Sequence, residues 1–578
     1  MTSTDRVHLE TGVLIVGAGA AGMSAAIAAD EAGADVLLVD RSLIGRGGAT
    51  VMAQMTVAVA LGEEVPDGWR DHLADTLNAG RGLCDERLAA LVCERGPEEI
   101  RRLDGWHVGW ARHADGRIRA AQAPGHDRPR CVYVDFLSTG PAVSRTMRGQ
   151  VQRQERIKRV GDLCITDIVI SDGAAAGAVG FSVSDGRPVS IAAKAVIVAT
   201  GGLTRLYQRN SASSNMGGDG YALALRAGAE LIDMEFVQFF PIGHLAPRLI
   251  GMDPIMWDPF RYKLGGRLLN AKGEEFASAS GVAEDGRYVT PRDLLTHAIL
   301  KEVEAGRGSP AGGVFLSFKH VPADRLREAF GPIIDRLAAN GIDLARDLIE
   351  VAPIAHYHMG GIRVTPDMAT GVPRLLAAGE AVGGANGANR LSGNAVTEAL
   401  VFGRVAGLEA AKLSSAPDAW RDADAAPAMS LVSATGPTLN TAAVVSQLQA
   451  VMNRHVGPFR TATGLETALV EIDSLARAIG TRPPGVPGRF ETARLDWFDA
   501  RNMLLVAETV ARAALAREES RGAHQRDEFP DTDEDWAVNQ TVSLRDGRLV
   551  LSRVPVGAAP AEASAFRPAP ALHGFNHT

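Results

Sequence analysis

Arg390 stands alone as a cationic fork within residues 384–393, GANGANRLSG. Small residues let backbone and ligand approach closely, and a guanidinium set among them presents paired N–H donors to a carboxylate or phosphate. A second stretch offers phosphate chemistry. Gly17, Gly19 and Gly22 form GxGxxG, and Asp40 follows 18 residues after Gly22. Such glycines admit a pyrophosphate to a helix N-terminus, and the acid is placed to accept hydrogen bonds from a ribose diol.

These groups need elements to hold them. Residues 13–16 read as a buried strand, an alanine-rich helix runs to about Ala32, and residues 36–39 form a second strand ending at Asp40. This is a βαβ dinucleotide unit. Further on, residues 195–202, AVIVATGG, form another buried strand ending in ATGG, and residues 374–380, RLLAAGE, repeat a strand running into Gly-Glu. A nicotinamide enzyme has no need of these two returns, whereas a long FAD lies across several strand ends of one sheet. FAD is therefore the expected cofactor. Glu380 is placed to hold a ribose or ribityl hydroxyl. Asp219, in GGDGYALALRAGA, either caps the following helix or contacts the flavin chain.

Composition bounds the rest. With 578 residues, 46% apolar and 22% charged, the chain reads as a globular protein of two or three domains. A net charge of -8 with interspersed signs gives no basic stripe for nucleic acid. Cys84, Cys93, Cys131 and Cys164 fall in no CxxC spacing, so neither an iron-sulfur cluster nor a zinc site is encoded and reduced, buried thiols are expected. Direct membrane insertion is not expected, because no apolar run nears the roughly 20 residues of a spanning helix. The N-terminus MTSTDRVHLE has no signal-peptide core. The expected compartment is the cytosol, with any membrane association made through a partner.

Taken in order, GAGAAG, ATGG, GGDGYALALRAGAELIDMEFVQFFP, VAPIAHYHMGGI, AAGE, GANRLSGN and SRGAHQRDEFP resemble the flavoprotein subunits of the succinate dehydrogenase and fumarate reductase family. That family also includes aspartate oxidase, which the last segment makes the less close relative. The resemblance implies an α/β fold: a Rossmann-like FAD-binding domain interrupted by an α+β capping domain, then a C-terminal helical domain. The expected bounds are 1–239 and 352–414 for the FAD domain, 240–351 for the cap, 428–535 for the helical domain and 536–578 for a strand and loose tail. Residues 415–427 read as a linker. The expected FAD contacts are Gly17, Gly19, Ala20, Ala21, Gly22, Asp40, Arg41, Gly47, Gly48, Ala49, Thr50, Gln54, Ala199, Thr200, Gly201, Asp219, Gly379, Glu380, Arg390 and Asn394. Arg390 matches the arginine of the GANRL motif, and His356 the histidine of HYxMGG, which in the family bonds the same substrate end.

Three departures shape the expected chemistry. The family's covalent flavin link uses a histidine in the loop after the second strand. Here no histidine stands between Arg41 and Leu61, so the FAD is expected to be non-covalent. The family's HPTG histidine is replaced by Phe240 in FFPIG, leaving His244 as a possible substitute. The proton-delivering arginine of TExxRGEGG aligns with Tyr262 directly, or with Arg261, and its glutamate with Asp258, once one inserted residue is allowed; Lys263 lies beside them, and Arg292 resembles the arginine of the family's SRD segment. The cap face then carries Phe239, Phe240, Met256, Trp257 and Phe260, which suits a substrate with one carboxylate and a less polar remainder.

The reading is an FAD-dependent oxidoreductase that desaturates, or in reverse reduces, a C–C bond next to a carboxylate. An iron-sulfur subunit or ferredoxin is the expected electron partner, since the chain encodes no cluster and no second nucleotide fold. The alternatives are an oxidase of the aspartate oxidase type using oxygen, and a flavin relay subunit whose catalysis occurs elsewhere.

Overall fold

The computed structural model describes residues 6–54, 56–135, 137–249, 255–257, 264–276, 292–331, 333–558 and 560, with residues 292–294 in backbone only. Two compact units are present. One comprises residues 1–208, 212–237 and 357–578; the other, residues 209–211 and 238–356.

The first unit is built on a seven-stranded sheet among the described residues. The strand Val7–Val16 lies parallel between Val36–Val39 and Pro188–Val198, and Ile157–Val160 pairs parallel with Val36–Val39 on the outer side. The far edge of Pro188–Val198 is divided. Its beginning pairs antiparallel with Ala174–Ser182, and its end pairs parallel with Leu375–Ala377. Runs such as VLLV and AVIV are buried on both faces, as parallel strands covered by helices must be.

Register brings the motifs together. Val16 lies opposite Val39 and Val198, and Ala377 opposite Val198. Four parallel strands thus end on one edge, and Gly17, Asp40, Ala199 and Ala378 each follow one of those ends. Ligands of open α/β sheets bind outside such carboxyl ends.

The helices Thr441–His455, Ala462–Ile479 and Thr492–Ala516 belong to this unit, as does the hairpin Asn539–Arg545 and Arg548–Val554. Residues 415–427 do not form a linker throughout. A helix spans Asp422–Ser433 with Pro427 inside it. Asp422 and Asp424 in its first turn complement the helix dipole, and Ala425 and Val432 are buried, so packing holds this helix despite its internal proline.

The second unit holds a four-stranded sheet in the order Val237–Ala246, Leu348–His358, Val314–Ser317, Arg267–Leu269. Trp257, wholly buried, packs against Phe318 and Phe330 at ring-centroid distances of 6.3 and 6.1 Å. Among the described residues no helix is long and apolar enough to cross a membrane, and no group of His, Cys, Asp or Glu is placed to hold a metal.

Candidate active site

A cleft open to solvent lies along the sheet edge of the first unit. Gly17, Gly19, Ala20, Ala21, Asp40, Arg41, Gly47, Gly48, Ala49, Thr50, Ala199, Thr200, Gly201, Asp219 and Glu380 all line it. Asn215, Met216 and Cys164 also line it and were not anticipated. Asn215, four residues before Asp219, donates to Ser42 Oγ at 3.1 Å. Gly22, Gln54, Gly379, Arg390 and Asn394 are not part of the lining.

The cleft fits a dinucleotide. Gly17 has φ +104°, and a Cβ there would lie 2.4 Å from Ala199 O, so the turn closes only around glycine. Asp40 Oδ2 accepts from Ala18 N at 2.8 Å, while Oδ1 accepts from Ser42 N and Oγ at 2.8 and 2.7 Å. The acid is thereby fixed at the strand end.

Arg41 is held by a long-range network. Its guanidinium pairs in a bidentate manner with Asp499 of the Thr492–Ala516 helix, both contacts 2.7 Å, and meets Asp219 at 3.3 Å. Burial works against its charge, but Asp499 and then Asp219 hold the pKa above the usual value. Asp219 opens the Asp219–Arg226 helix without capping it; its side chain instead takes Arg41 and Asn502 Nδ2, the latter at 2.9 Å. The helix-cap alternative for Asp219 is thus corrected.

Glu380 is half-buried in the turn Gly379–Ala381 just past the end of its strand, where Oε1 accepts from His358 N at 3.1 Å. Burial pushes its carboxyl up to about 8. His358 bonds Tyr221 Oη and Met234 O, each at 3.1 Å, and burial pushes its imidazole down to about 4. It is a structural histidine. Asn394 is likewise committed, pairing with His72 Nε2 at 2.8 Å and Thr76 Oγ1 at 3.1 Å, so its side chain is not a flavin contact.

Arg390 is 5% exposed. Its guanidinium lies 4.3 Å from the centroid of the Tyr357 ring, and Nη1 donates to Leu391 O at 3.1 Å. A planar cation resting on an aromatic face keeps a defined plane, which paired hydrogen bonding to a carboxylate requires.

In the second unit, His356 Nδ1 and Ser211 Oγ are 2.7 Å apart, and the His356 ring meets Phe240 edge-on at 5.4 Å. Phe240, Met256 and Ile354 form a small apolar cluster. His244 is corrected from the catalytic set. Trp257 Nε1–H donates to its Nδ1 at 3.0 Å and its Nε2 lies 2.5 Å from Pro247 O, so both ring nitrogens are spent. Trp257 itself belongs to the core of this unit and not to a substrate-facing surface. Asp258, Phe260, Arg261, Tyr262 and Lys263 lie outside the described residues.

The sheet edge and its cleft identify a dinucleotide site, and comparison with known proteins completes the assignment. An FAD-binding-domain family model matches residues 12–396, and a model of the fumarate reductase flavoprotein C-terminal region matches residues 445–568. The chain belongs to the succinate dehydrogenase and fumarate reductase flavoprotein family. It is 32% identical over 574 residues to the fumarate reductase flavoprotein subunit of Mycobacterium tuberculosis, covering 94% of this chain and 97% of that one. It is similar in structure to Mycobacterium smegmatis Sdh1 in complex with UQ1, with TM-score 0.86, 34% identity and coverage of 97% and 96%. The L-aspartate oxidase of Streptomyces coelicolor is 31% identical over 568 residues, covering 95% of this chain and 96% of that one. By identity the aspartate oxidases stand no further away than this fumarate reductase, the one from Agrobacterium fabrum being 34% identical over 541 residues and covering 92% of this chain and 94% of that one, so the expectation of a less close relative is not met. As a member of this family the protein is an FAD-dependent oxidoreductase acting on CH–CH bonds.

Proposed function

We propose that this flavoprotein catalyses desaturation, or the reverse enoate reduction, next to a carboxylate that Arg390 binds, on a substrate other than fumarate or succinate. The observation that carries the reading is Arg390, buried in a small-residue loop with its guanidinium over the Tyr357 ring. A guanidinium fork matches a carboxylate in a way an ammonium does not. On sequence resemblance alone, His356, whose Nδ1 is 2.7 Å from Ser211 Oγ, is a further proposed substrate-binding residue.

FAD, bound along the sheet edge, supplies hydride chemistry at its N5. Asp40 and Glu380 are the proposed hydroxyl-binding groups, and Gly17 to Ala20 the backbone that meets the pyrophosphate. With no histidine between Arg41 and Leu61, the FAD is held without a covalent bond. Asp258 and Arg261 remain the proposed proton-delivering pair on the strength of sequence resemblance.

The shift away from a dicarboxylate rests on Phe240. Where the family resemblance calls for a histidine, an aromatic ring packs with Met256 and Ile354 and cannot accept or donate a hydrogen bond to a second carboxylate. Photoreduced enzyme mixed anaerobically with fumarate and with monocarboxylate enoates such as crotonate tests this: reoxidation by the enoate and not by fumarate supports it. Electrons are proposed to pass to a separate iron-sulfur protein. A second reading, oxygen as acceptor, is favoured by the L-aspartate oxidase relatives, and the rate at which air reoxidises the reduced flavin separates the two.

A further inference from the structure

Glu398 is 1% exposed on the Asn394–Leu413 helix, yet both its oxygens are used. Oε1 accepts from Tyr357 Oη at 2.8 Å, and Oε2 accepts from Asn386 Nδ2 at 2.6 Å. Tyr357 is the residue whose ring face carries the Arg390 guanidinium. Asn386 stands four residues before Arg390 in the same loop. One buried carboxylate therefore fixes both the platform under the arginine and the start of the loop that bears it.

A buried carboxylate is expensive to keep where an apolar side chain of similar volume would pack. Two neutral donors satisfy its lone pairs, and their combined effect is on the orientation of a third residue. An arginine has a flexible stem, and paired recognition of a carboxylate needs its plane held in advance of binding. We propose that Glu398 is a positioning residue for Arg390: acting through Tyr357 and Asn386, it holds the guanidinium plane that binds the substrate carboxylate, without itself touching substrate. This rests on the assignment of Arg390 as the carboxylate-binding residue.

The test uses full-length holoenzyme, normalised for flavin, in the variants Glu398→Ala, Glu398→Gln, Tyr357→Phe and Arg390→Gln. Fumarate and crotonate are the probes; binding is read from the perturbation of flavin absorbance, and turnover from reoxidation of photoreduced enzyme. Glu398→Ala is expected to weaken binding of the better probe about tenfold, with flavin content kept and the limiting rate changed less than about twofold. Glu398→Gln, which keeps an acceptor for Tyr357 Oη, is expected to recover to within about threefold of wild type. Tyr357→Phe, which removes only the hydroxyl, is expected to weaken binding about threefold and to add nothing on top of Glu398→Ala.

Unchanged binding in Glu398→Ala while Arg390→Gln loses it overturns the positioning role and leaves the carboxylate assignment standing. Equal damage from Glu398→Gln and Glu398→Ala also overturns it, because keeping an acceptor for Tyr357 Oη would then restore nothing at Arg390. If Glu398→Ala fails to retain FAD, wild-type binding by Tyr357→Phe overturns it instead. Wild-type binding by Arg390→Gln, or no binding of either probe by the native enzyme, removes the carboxylate assignment and this inference with it.

Discussion

Gly522→Ala should damage carboxylate binding from a position outside the cleft. Gly522 lies in the turn of SRGAHQRDEFP with φ +54°, and a Cβ there would stand 2.4 Å from Ala388 O. Ala388 is pinned on both sides, its carbonyl accepting from Ala523 N at 2.9 Å and its N–H donating to Gly80 O at 3.0 Å, two residues before Arg390. Ordinary Cβ contact starts at 3.4 Å, so the carbonyl must retreat by 3.4 − 2.4, about 1 Å, and a misplacement of about 1 Å at a binding group costs up to about 100-fold. The left-handed backbone adds about 1 kcal/mol for alanine. Gly547→Ala separates the two effects: φ is +76° with nothing within 4 Å of the added carbon. Both variants should keep their FAD, and Gly522→Ala should lose more stability by thermal unfolding than Gly547→Ala, which carries the backbone strain alone. Only Gly522→Ala should lower kcat/KM for crotonate, by about 10- to 100-fold. Kinetics for Gly522→Ala matching those of Gly547→Ala would refute the idea that this turn sets the Arg390 loop.

Gly17→Ala should yield protein without bound FAD, since its Cβ would collide with Ala199 O; retained flavin absorbance would count against the cradle. Acid precipitation should release all flavin to the supernatant, and a yellow pellet would contradict the non-covalent assignment. His72 is buried, its imidazole pushed down by burial to about 4 from 6.5. The unfolded chain takes that proton near pH 6.5 and the folded one only near 4, so this contribution to stability is complete above pH 6.5 and lost as pH falls, about 1.4 kcal/mol of it by pH 5.5. His72→Gln has no such loss, so its melting-temperature deficit against wild type should shrink between pH 7.5 and 5.5; a constant deficit would refute it.

What was legible in the sequence is what depends on neighbours in the chain. The strand Val36–Val39 and the turn at Gly17 follow from local pattern, and the register of four strand ends then gathers Asp40, Thr200 and Glu380. What was missed is carried by partners far apart in sequence: Arg41 with Asp499, His356 with Ser211, Tyr357 with Glu398, Gly522 with Ala388. No periodicity announces such pairs. His244 shows the converse error, since a histidine near the expected position looked available until Trp257 and Pro247 were seen to occupy its ring. The SRGAHQRDEFP segment was recognised as a family mark, but its use, to back the arginine loop, is visible only in three dimensions.

The role proposed for Arg390 is to bind the carboxylate of an activated C–C substrate that is not fumarate. Its most direct measurement is the anaerobic reoxidation of photoreduced wild-type and Arg390→Gln enzyme by crotonate and by fumarate, followed by flavin absorbance. Wild type is expected to be reoxidised rapidly by crotonate and slowly by fumarate, and Arg390→Gln by neither, with FAD retained. Rapid reoxidation by fumarate, or an Arg390→Gln enzyme as fast as wild type, would contradict it.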